Sequence, residues 1–204
     1  MTIRIYHYHR SFWRTIMLSW LCILAAGCGI NSIPSLDEQA KAAWSQVENQ
    51  YQRRADLIPN LVSVVKGYAA HEKETLTAVT EARAKVGSIQ VGAGLLNNPQ
   101  AFQQFQQAQS ELSSALQRLM VVVERYPDLK ANQNFLTLQS QLEGTENRIS
   151  VARRDFILAV QRYNTEIRTF PGRIWHSLLY ADLPLREGYE ATTQNVEQAP
   201  KVEF

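Results

Sequence analysis

At 204 residues the chain is of one-domain size, and 45% hydrophobic residues are enough for a real core. Its 21 basic and 19 acidic residues are interspersed and leave a formal net charge of +2, which excludes the electrostatic footprint of a nucleic-acid binder. Two cysteines, Cys22 and Cys28, exclude a disulfide framework.

The first segment is the most informative. Arg4, Arg10 and Arg14 precede a short apolar run, which ends in Leu24-Ala25-Ala26-Gly27-Cys28. A membrane-spanning helix needs roughly 20 apolar residues. The 16 positions from Thr15 to Ile30 are too few, and they include Ser19, Gly27 and Gly29. A basic start, a short apolar core and small residues against a cysteine form the pattern of a bacterial lipoprotein signal peptide, here residues 1–27. Three readings of Cys28 stand: acylation after cleavage (palmitate among the chains), a cysteine within an uncleaved single-pass anchor, or an incidental residue. The leading expectation is acylation, with the membrane held through the acyl chains on Cys28. Cleavage would remove three arginines and no acid, leaving 18 bases against 19 acids. It would also leave no cysteine pair to form a disulfide. With Gly29 rather than Asp after the cysteine, analogy with lipoproteins favours the outer membrane of a two-membrane bacterium.

Residues 28–35 read as a lipidated tether, and Gly29–Ser35 span at most about 25 Å when extended. From residue 36 the chain reads as helix, and the domain is expected over 36–180. Ala43, Val47, Gln50, Arg54, Leu57, Leu61, Val65 and Tyr68 hold one heptad phase, with Pro59 in its middle. Proline breaks an interior helical bond but is tolerated in a first turn. The sequence therefore predicts a reversal near Arg53–Asp56, with Asp56 capping a helix that starts at Leu57 and holds Pro59 in its first turn. Four helices follow: 36–55, 57–87, 99–126 and 131–169. The alternative is one kinked helix over 36–87, about 77 Å long and well beyond its partners.

Asn98-Pro99 marks the third start. The third helix has a seam of Phe102, Phe105, Gln109, Leu112, Leu116, Leu119, Val123 and Tyr126. The fourth seam is Phe135, Leu138, Leu142, Thr145, Ile149, Ala152, Phe156, Ala159, Tyr163, Ile167 and Phe170, an a/d pattern of coiled-coil type. Such stripes are core rather than cofactor boxes. The fold class is all-α, an elongated antiparallel four-helix bundle behind an N-terminal signal or anchor segment. Residues 181–204 lack helical period and read as an extended tail.

Chemistry is sparse. His71-Glu72 opens like a zinc-protease helix, but position 75 is Thr where the second His is needed. Gly92-Ala93-Gly94 lacks the third glycine and the preceding strand of a dinucleotide loop. There is no G-x-S-x-G elbow. Glu143 and Glu146 near Arg148 suit surface ion pairing. No catalytic residue, metal ligand or cofactor is expected.

Several blocks are informative together: Ala43-Trp44-Ser45-Gln46-Val47, Arg54-Ala55-Asp56-Leu57-Ile58-Pro59-Asn60-Leu61, Val65-Lys66-Gly67-Tyr68, Glu81-Ala82-Arg83-Ala84, Tyr126-Pro127-Asp128-Leu129-Lys130-Ala131-Asn132, Thr145-Glu146-Asn147-Arg148-Ile149 and Tyr163-Asn164-Thr165. In this order, over roughly residues 30–170, they resemble the LemA family of bacterial envelope proteins. The resemblance implies a long-helix bundle held at the membrane by its N-terminus and no established enzymatic activity. It also implies an envelope protein partner, of TPM-domain or membrane-protease type. The chain departs from the pattern in its lipobox-type cysteine and in Leu179-Tyr180-Ala181-Asp182, where the family has a Phe-Gly-Phe/Tyr-like patch. The ending Lys201-Val202-Glu203-Phe204 follows the family style, which implies a docking tail.

Arg54, Asp56, Pro59 and Asn60 are read in two ways. They form a partner-facing corner, or they are structural: Asp56 caps, Pro59 fixes the turn and Arg54 pairs with Asp56. The functional expectation is a lipid-anchored, non-enzymatic scaffold module of the cell envelope. The alternatives are a membrane-shaping or lipid-contacting protein and, behind it, a metal-dependent hydrolase.

Overall fold

The computed structural model describes residues 29–89 and 92–189. Two long helices form its frame: α1, Ser32–Tyr68, and, later in the chain, the fifth helix, Gln133–Glu166. Between them lie α2 (Lys73–Ser88), a 3-10 turn at Ala93–Asn97, α3 (Pro99–Val123) and the short α4 (Pro127–Lys130). The fifth helix is α5, and α6 is Gly172–Leu179. No strand occurs among the described residues. The all-α bundle expected from the periodicity is the observed architecture.

The expected reversal at Arg53–Asp56 does not occur. The first reversal lies at Ala69–Glu72, and α1 runs unbroken through Pro59. Asp56 is therefore not a cap but an exposed mid-helix residue that accepts a hydrogen bond from Gln52 (2.8 Å). The alternative of one helix over 36–87 does not occur either, since α1 ends at Tyr68 and α2 starts at Lys73. Helices α1 and α5 match in length: 37 and 34 residues correspond to about 55 and 51 Å at 1.5 Å per residue. The two helices are antiparallel. The Ser32 hydroxyl donates to Glu166 at one end (2.5 Å), and the Asn132 amide donates to the Tyr68 hydroxyl at the other (2.9 Å).

The proline objection is met by a side chain from another helix. Pro59 has no N–H for the carbonyl of Ala55, four residues back. Arg83 of α2 donates its Nε–H to that carbonyl at 3.0 Å. The acceptor that proline would orphan is thus satisfied, and the helix continues.

The inward positions of α1 are Ile33, Asp37, Ala40, Trp44, Val47, Tyr51, Arg54, Ile58, Leu61 and Val65, spaced four and three throughout. This seam shares Val47, Arg54, Leu61 and Val65 with the expected one. Trp44, Tyr51 and Ile58 take the places of Ala43, Gln50 and Leu57, and Tyr68 is exposed. On α5 the expected seam holds from Phe135 to Ile167, except that Val160 is buried where Ala159 was expected. Phe170 lies beyond the helix and is 82% exposed. Helix α3 begins where expected, with the Asn98 side chain accepting from the Ala101 N–H (3.1 Å).

Helices α2 and α3 form a hairpin that covers the frame from its middle to the Tyr68 end. A core of Ile58, Leu61, Val65, Val79, Leu112 and Leu119 fills that end. The middle is aromatic: Trp44 lies 5.5 Å from Phe102, 5.5 Å from Phe105 and 5.2 Å from Phe156, centroid to centroid. The Ser32 end has a smaller core of Ile33, Tyr163 and Ile167. There α6 and the chain to residue 189 complete the bundle. The expected tether is mostly helical, since α1 starts at Ser32 and leaves only Gly29–Asn31 as a turn. Residues 1–28, with the expected signal segment and Cys28, and residues 190–204 lie outside the described residues.

The Ala55–Arg83 bond can be tested by a double-mutant cycle in urea. Arg83→Met should cost about 0.5–1.5 kcal/mol, the net worth of a hydrogen bond whose acceptor is only partly buried. In a Pro59→Ala background, where residue 59 regains its N–H, that loss should shrink by at least about 0.5 kcal/mol.

Candidate functional site

The polar groups inside the bundle are few and collect in two places. The first is midway along α1, where Arg54 is buried at 3% exposure. Its Nη1 donates to Ser113 Oγ (3.0 Å) and to Glu146 Oε2 (2.9 Å). Its Nη2 donates to Gln109 Oε1 (2.6 Å), and its guanidinium lies 5.1 Å from the Tyr51 ring centroid. A buried guanidinium is costly unless paired and hydrogen-bonded. Here α3 and α5 supply the acceptors, so Arg54 ties three helices at one level. A polar cavity of about 150 Å³ opens over it, lined among others by Tyr51, Gln109, Glu146, Arg153 and Tyr189.

The second cluster fixes the C-terminal strap. Arg186, 5% exposed, reaches Asp37 of α1, 3% exposed, through Nε (2.9 Å) and Nη2 (2.5 Å). It also donates to Asn97 in the turn between α2 and α3. The backbone N–H of Arg186 donates to Asn164 Oδ1 (3.0 Å), and the Tyr163 hydroxyl donates to the carbonyl of Pro184 (2.8 Å). Tyr189 then packs against Phe102 (5.3 Å) and Phe156 (6.0 Å), with the Arg153 guanidinium 4.1 Å over its ring. Burial raises the hydroxyl pKa of both Tyr163 and Tyr189, so neither is a base at neutral pH. The expected extended tail is thus extended but seated as far as residue 189.

A larger cleft of about 530 Å³ lies between α1, α2 and α3, lined among others by Glu48, Gln52, Arg83, Ile89 and Gln109. Burial raises the Glu48 carboxyl above its ordinary range, and the nearby Trp44 indole offsets this in part. That indole N–H falls short of a formed hydrogen bond, so desolvation prevails.

The structure separates the four residues of the expected corner. Arg54 faces the core, whereas Asp56, Pro59 and Asn60 are exposed on the outer face of α1. The Arg54–Asp56 pair does not form, and Glu146 of α5 takes the guanidinium instead. Glu143 accepts from Gln139 (2.9 Å). His71 lies exposed in the turn after α1 rather than on a helix, and Glu72 accepts from Arg125 and Tyr126. Among the described residues no three His, Cys, Asp or Glu side chains gather as metal ligands. Sequence reasoning missed Asp37, Arg186 and Tyr189. Asp37 had a visible signal, an acid in step with the seam, four residues after Ile33 and seven before Trp44. Arg186 and Tyr189 had none, because the strap has no period.

A long antiparallel helical frame, closed by a hairpin on one side and by a pinned C-terminal strap at one end, defines an all-α bundle whose two buried arginines are each paired with a carboxylate on another element. The chain belongs to the LemA family, whose model matches residues 43–204. It is 29% identical over 166 residues to magnetosome protein MamQ 2 of Paramagnetospirillum magneticum, covering 74% of this chain and 60% of that one. It is 27% identical over 159 residues to magnetosome protein MamQ of Magnetospirillum gryphiswaldense, covering 69% and 58%. It is 30% identical over 118 residues to protein LemA of Metamycoplasma hominis, covering 58% and 49%. The chain thus spans about three fifths of the length of its magnetosome relatives.

Two outcomes follow for stability. Asp37→Ala leaves Arg186 buried without its carboxylate and should cost about 3–5 kcal/mol in urea unfolding, with part of the loss recovered in Asp37→Ala/Arg186→Met. Glu48 has a raised folded-state pKa, so its protonated form favours folding. Its contribution is full below the unfolded pKa and fades as pH rises through the folded one. Glu48→Gln should raise Tm at pH 7, and the gain should vanish near pH 4.

Proposed function

We propose that this LemA-family protein is a lipid-anchored, non-enzymatic interaction module of the bacterial cell envelope. Cys28 carries the acyl chains, and the bundle presents its outer faces to a protein partner. The observation that carries the reading is the distance from that cysteine to the rigid body. Only Gly29–Asn31 separate Cys28 from α1, and α1 then runs unbroken to Tyr68. A bundle attached there stands at the membrane without a flexible spacer.

The interior supports a structural rather than a catalytic role. Arg54 and Arg186 each bind several partners on other elements and turn away from solvent. Among the described residues no helix is long and apolar enough to cross a membrane. Acyl attachment at Cys28 supplies the hold in this reading, and Gly29 directs the product to the outer membrane where there are two membranes. Exposed Asp56, Pro59 and Asn60 offer a partner-facing patch on α1. A TPM-domain or membrane-protease partner is the class that the family resemblance suggests. The magnetosome names of two relatives fit a protein that works within an assembly.

Cys28→Ser should abolish incorporation of labelled palmitate in cells and leave an unprocessed precursor. Retained labelling and unchanged fractionation would overturn the anchor. A photo-crosslinking residue at position 60 should capture a discrete envelope protein that the same residue in place of Ser140, exposed on α5, does not. Identical products from both positions would overturn the patch on α1.

A further inference from the structure

We infer that Phe170, Ile174 and Leu178 form a membrane-seating face, which rests the Ser32 end of the bundle on the bilayer surface beside the anchor. This inference rests on the anchoring reading above and adds a second, non-covalent contact to it.

Four observations carry it. First, the segment is apolar on its outer side. Ile174 and Leu178 lie four apart on α6 and are 46% and 69% exposed, and Phe170, two residues before the helix, is 82% exposed. Exposed apolar clusters of this kind mark interaction surfaces. Second, α6 is held firmly while it shows that side. Its other face brings Trp175 and the following Tyr180 against Ile33, Tyr163 and Ile167. His176 Nε2 bonds to the carbonyl of Leu183 at 2.8 Å. At Gly172 an added Cβ would collide with the Glu166 backbone carbonyl, so only glycine lets α6 fold back so closely on the end of α5. The outward face is therefore fixed by packing.

Third, the chain enters the bundle at this face. A Cβ built on Gly29 would sit 3.9 Å from Pro171, the residue between Phe170 and α6. Cys28 is the next residue back. An acyl group there holds the bilayer within a residue or two of Phe170, a few ångströms of chain. Fourth, the charge is complementary to an anionic lipid surface. Between Thr165 and Tyr180 the chain has Arg168 and Arg173, both exposed, against the single acid Glu166, which is engaged with Ser32. An amphipathic helix with basic flanks and aromatic residues is suited to lie in the interface.

The test uses the full chain with Cys22→Ser, isolated from membranes after natural processing. It is reconstituted in vesicles of phosphatidylethanolamine and phosphatidylglycerol. An environment-sensitive fluorophore is placed through Leu178→Cys or, at the far end of the bundle, through Thr137→Cys. Lipids with a doxyl quencher in the acyl chain should quench position 178 at least twofold more than position 137. Phe170→Ser with Ile174→Ser should remove at least half of the quenching at 178 while the circular-dichroism spectrum stays helical. Flotation and mass spectrometry of Cys28 report the anchor separately. A chain that floats, acylated, with position 178 no more quenched than 137 overturns the seating face and leaves the anchor standing. A chain that stays unmodified at Cys28 and does not float overturns both. Emission at 178 that shifts with protein concentration and ignores the lipid quencher assigns the face to a second copy and overturns the inference. The same holds for a shift that is lost on truncation after Tyr189, which assigns the face to the chain's own C-terminal segment.

Discussion

The continuity of α1 depends on the carbonyl of Ala55. Every other part of the bundle is placed against that helix: α5 along its length, the α2–α3 hairpin on its distal part and the strap on its first turns. A break at Pro59 would divide the frame into two short pieces and leave α5 without a full-length partner. Proline inside a helix costs about 3 kcal/mol, partly through the bond it cannot make. Arg83 supplies the missing donor from a different helix. A residue that would end a helix in isolation here sets where α2 must pack. The guanidinium can reach Ala55 only if α2 lies at the right height.

The same logic governs the two buried arginines. A seam of purely apolar residues specifies that helices associate but tolerates slippage, because one greasy layer resembles the next. Arg54 and Asp37 occupy seam positions of α1, and each has a defined partner set on other elements. A shift of α5 by one turn would separate Arg54 from Glu146. A shift of the strap would leave Asp37 and Arg186 buried without each other. Breaking either set exposes the desolvation cost of a charge, which exceeds what the pair contributes when intact. These interactions therefore act against wrong registers more than they add to stability. Between them the Trp44 cluster supplies apolar burial in the middle of the frame.

Helical periodicity carries the parts of this structure that are local. Asn98 at a helix start, the seam of α5 and much of that of α3 were legible, because capping and amphipathicity depend on residues a few positions apart. The course of α1 at Pro59 was not, because the deciding donor lies 28 residues away on another helix. Arg54 read as part of a surface corner because Asp56 is its neighbour in sequence. On a continuous helix two residues differ by about 200° in direction, and the two side chains part. The strap was invisible for a different reason. An extended segment pinned by Arg186 and Tyr189 buries single side chains in pockets made by distant elements, and no pattern within the segment itself reports that.

The rigidity of α1 also separates the two contacts proposed for this protein. From Ser32 to Asp56 is about 36 Å along the helix, and to Tyr68 about 54 Å, at 1.5 Å per residue. A body whose Ser32 end rests on lipid would hold Asp56, Pro59 and Asn60 well above the headgroups if it stands upright. A flexible spacer would let those residues sweep a wide volume, but Gly29–Asn31 is too short for that, and Gly29 already lies beside Pro171. The seating face then matters for recognition as well as for attachment. Acyl chains alone leave the tilt of the bundle free, whereas a second contact at Phe170, Ile174 and Leu178 removes one rotational freedom before a partner arrives. Freedom lost in advance is not lost again on binding, which favours association with a partner that is itself fixed in the membrane. Lipid contact and partner binding are, in this arrangement, successive uses of two regions of one rigid body rather than competing functions.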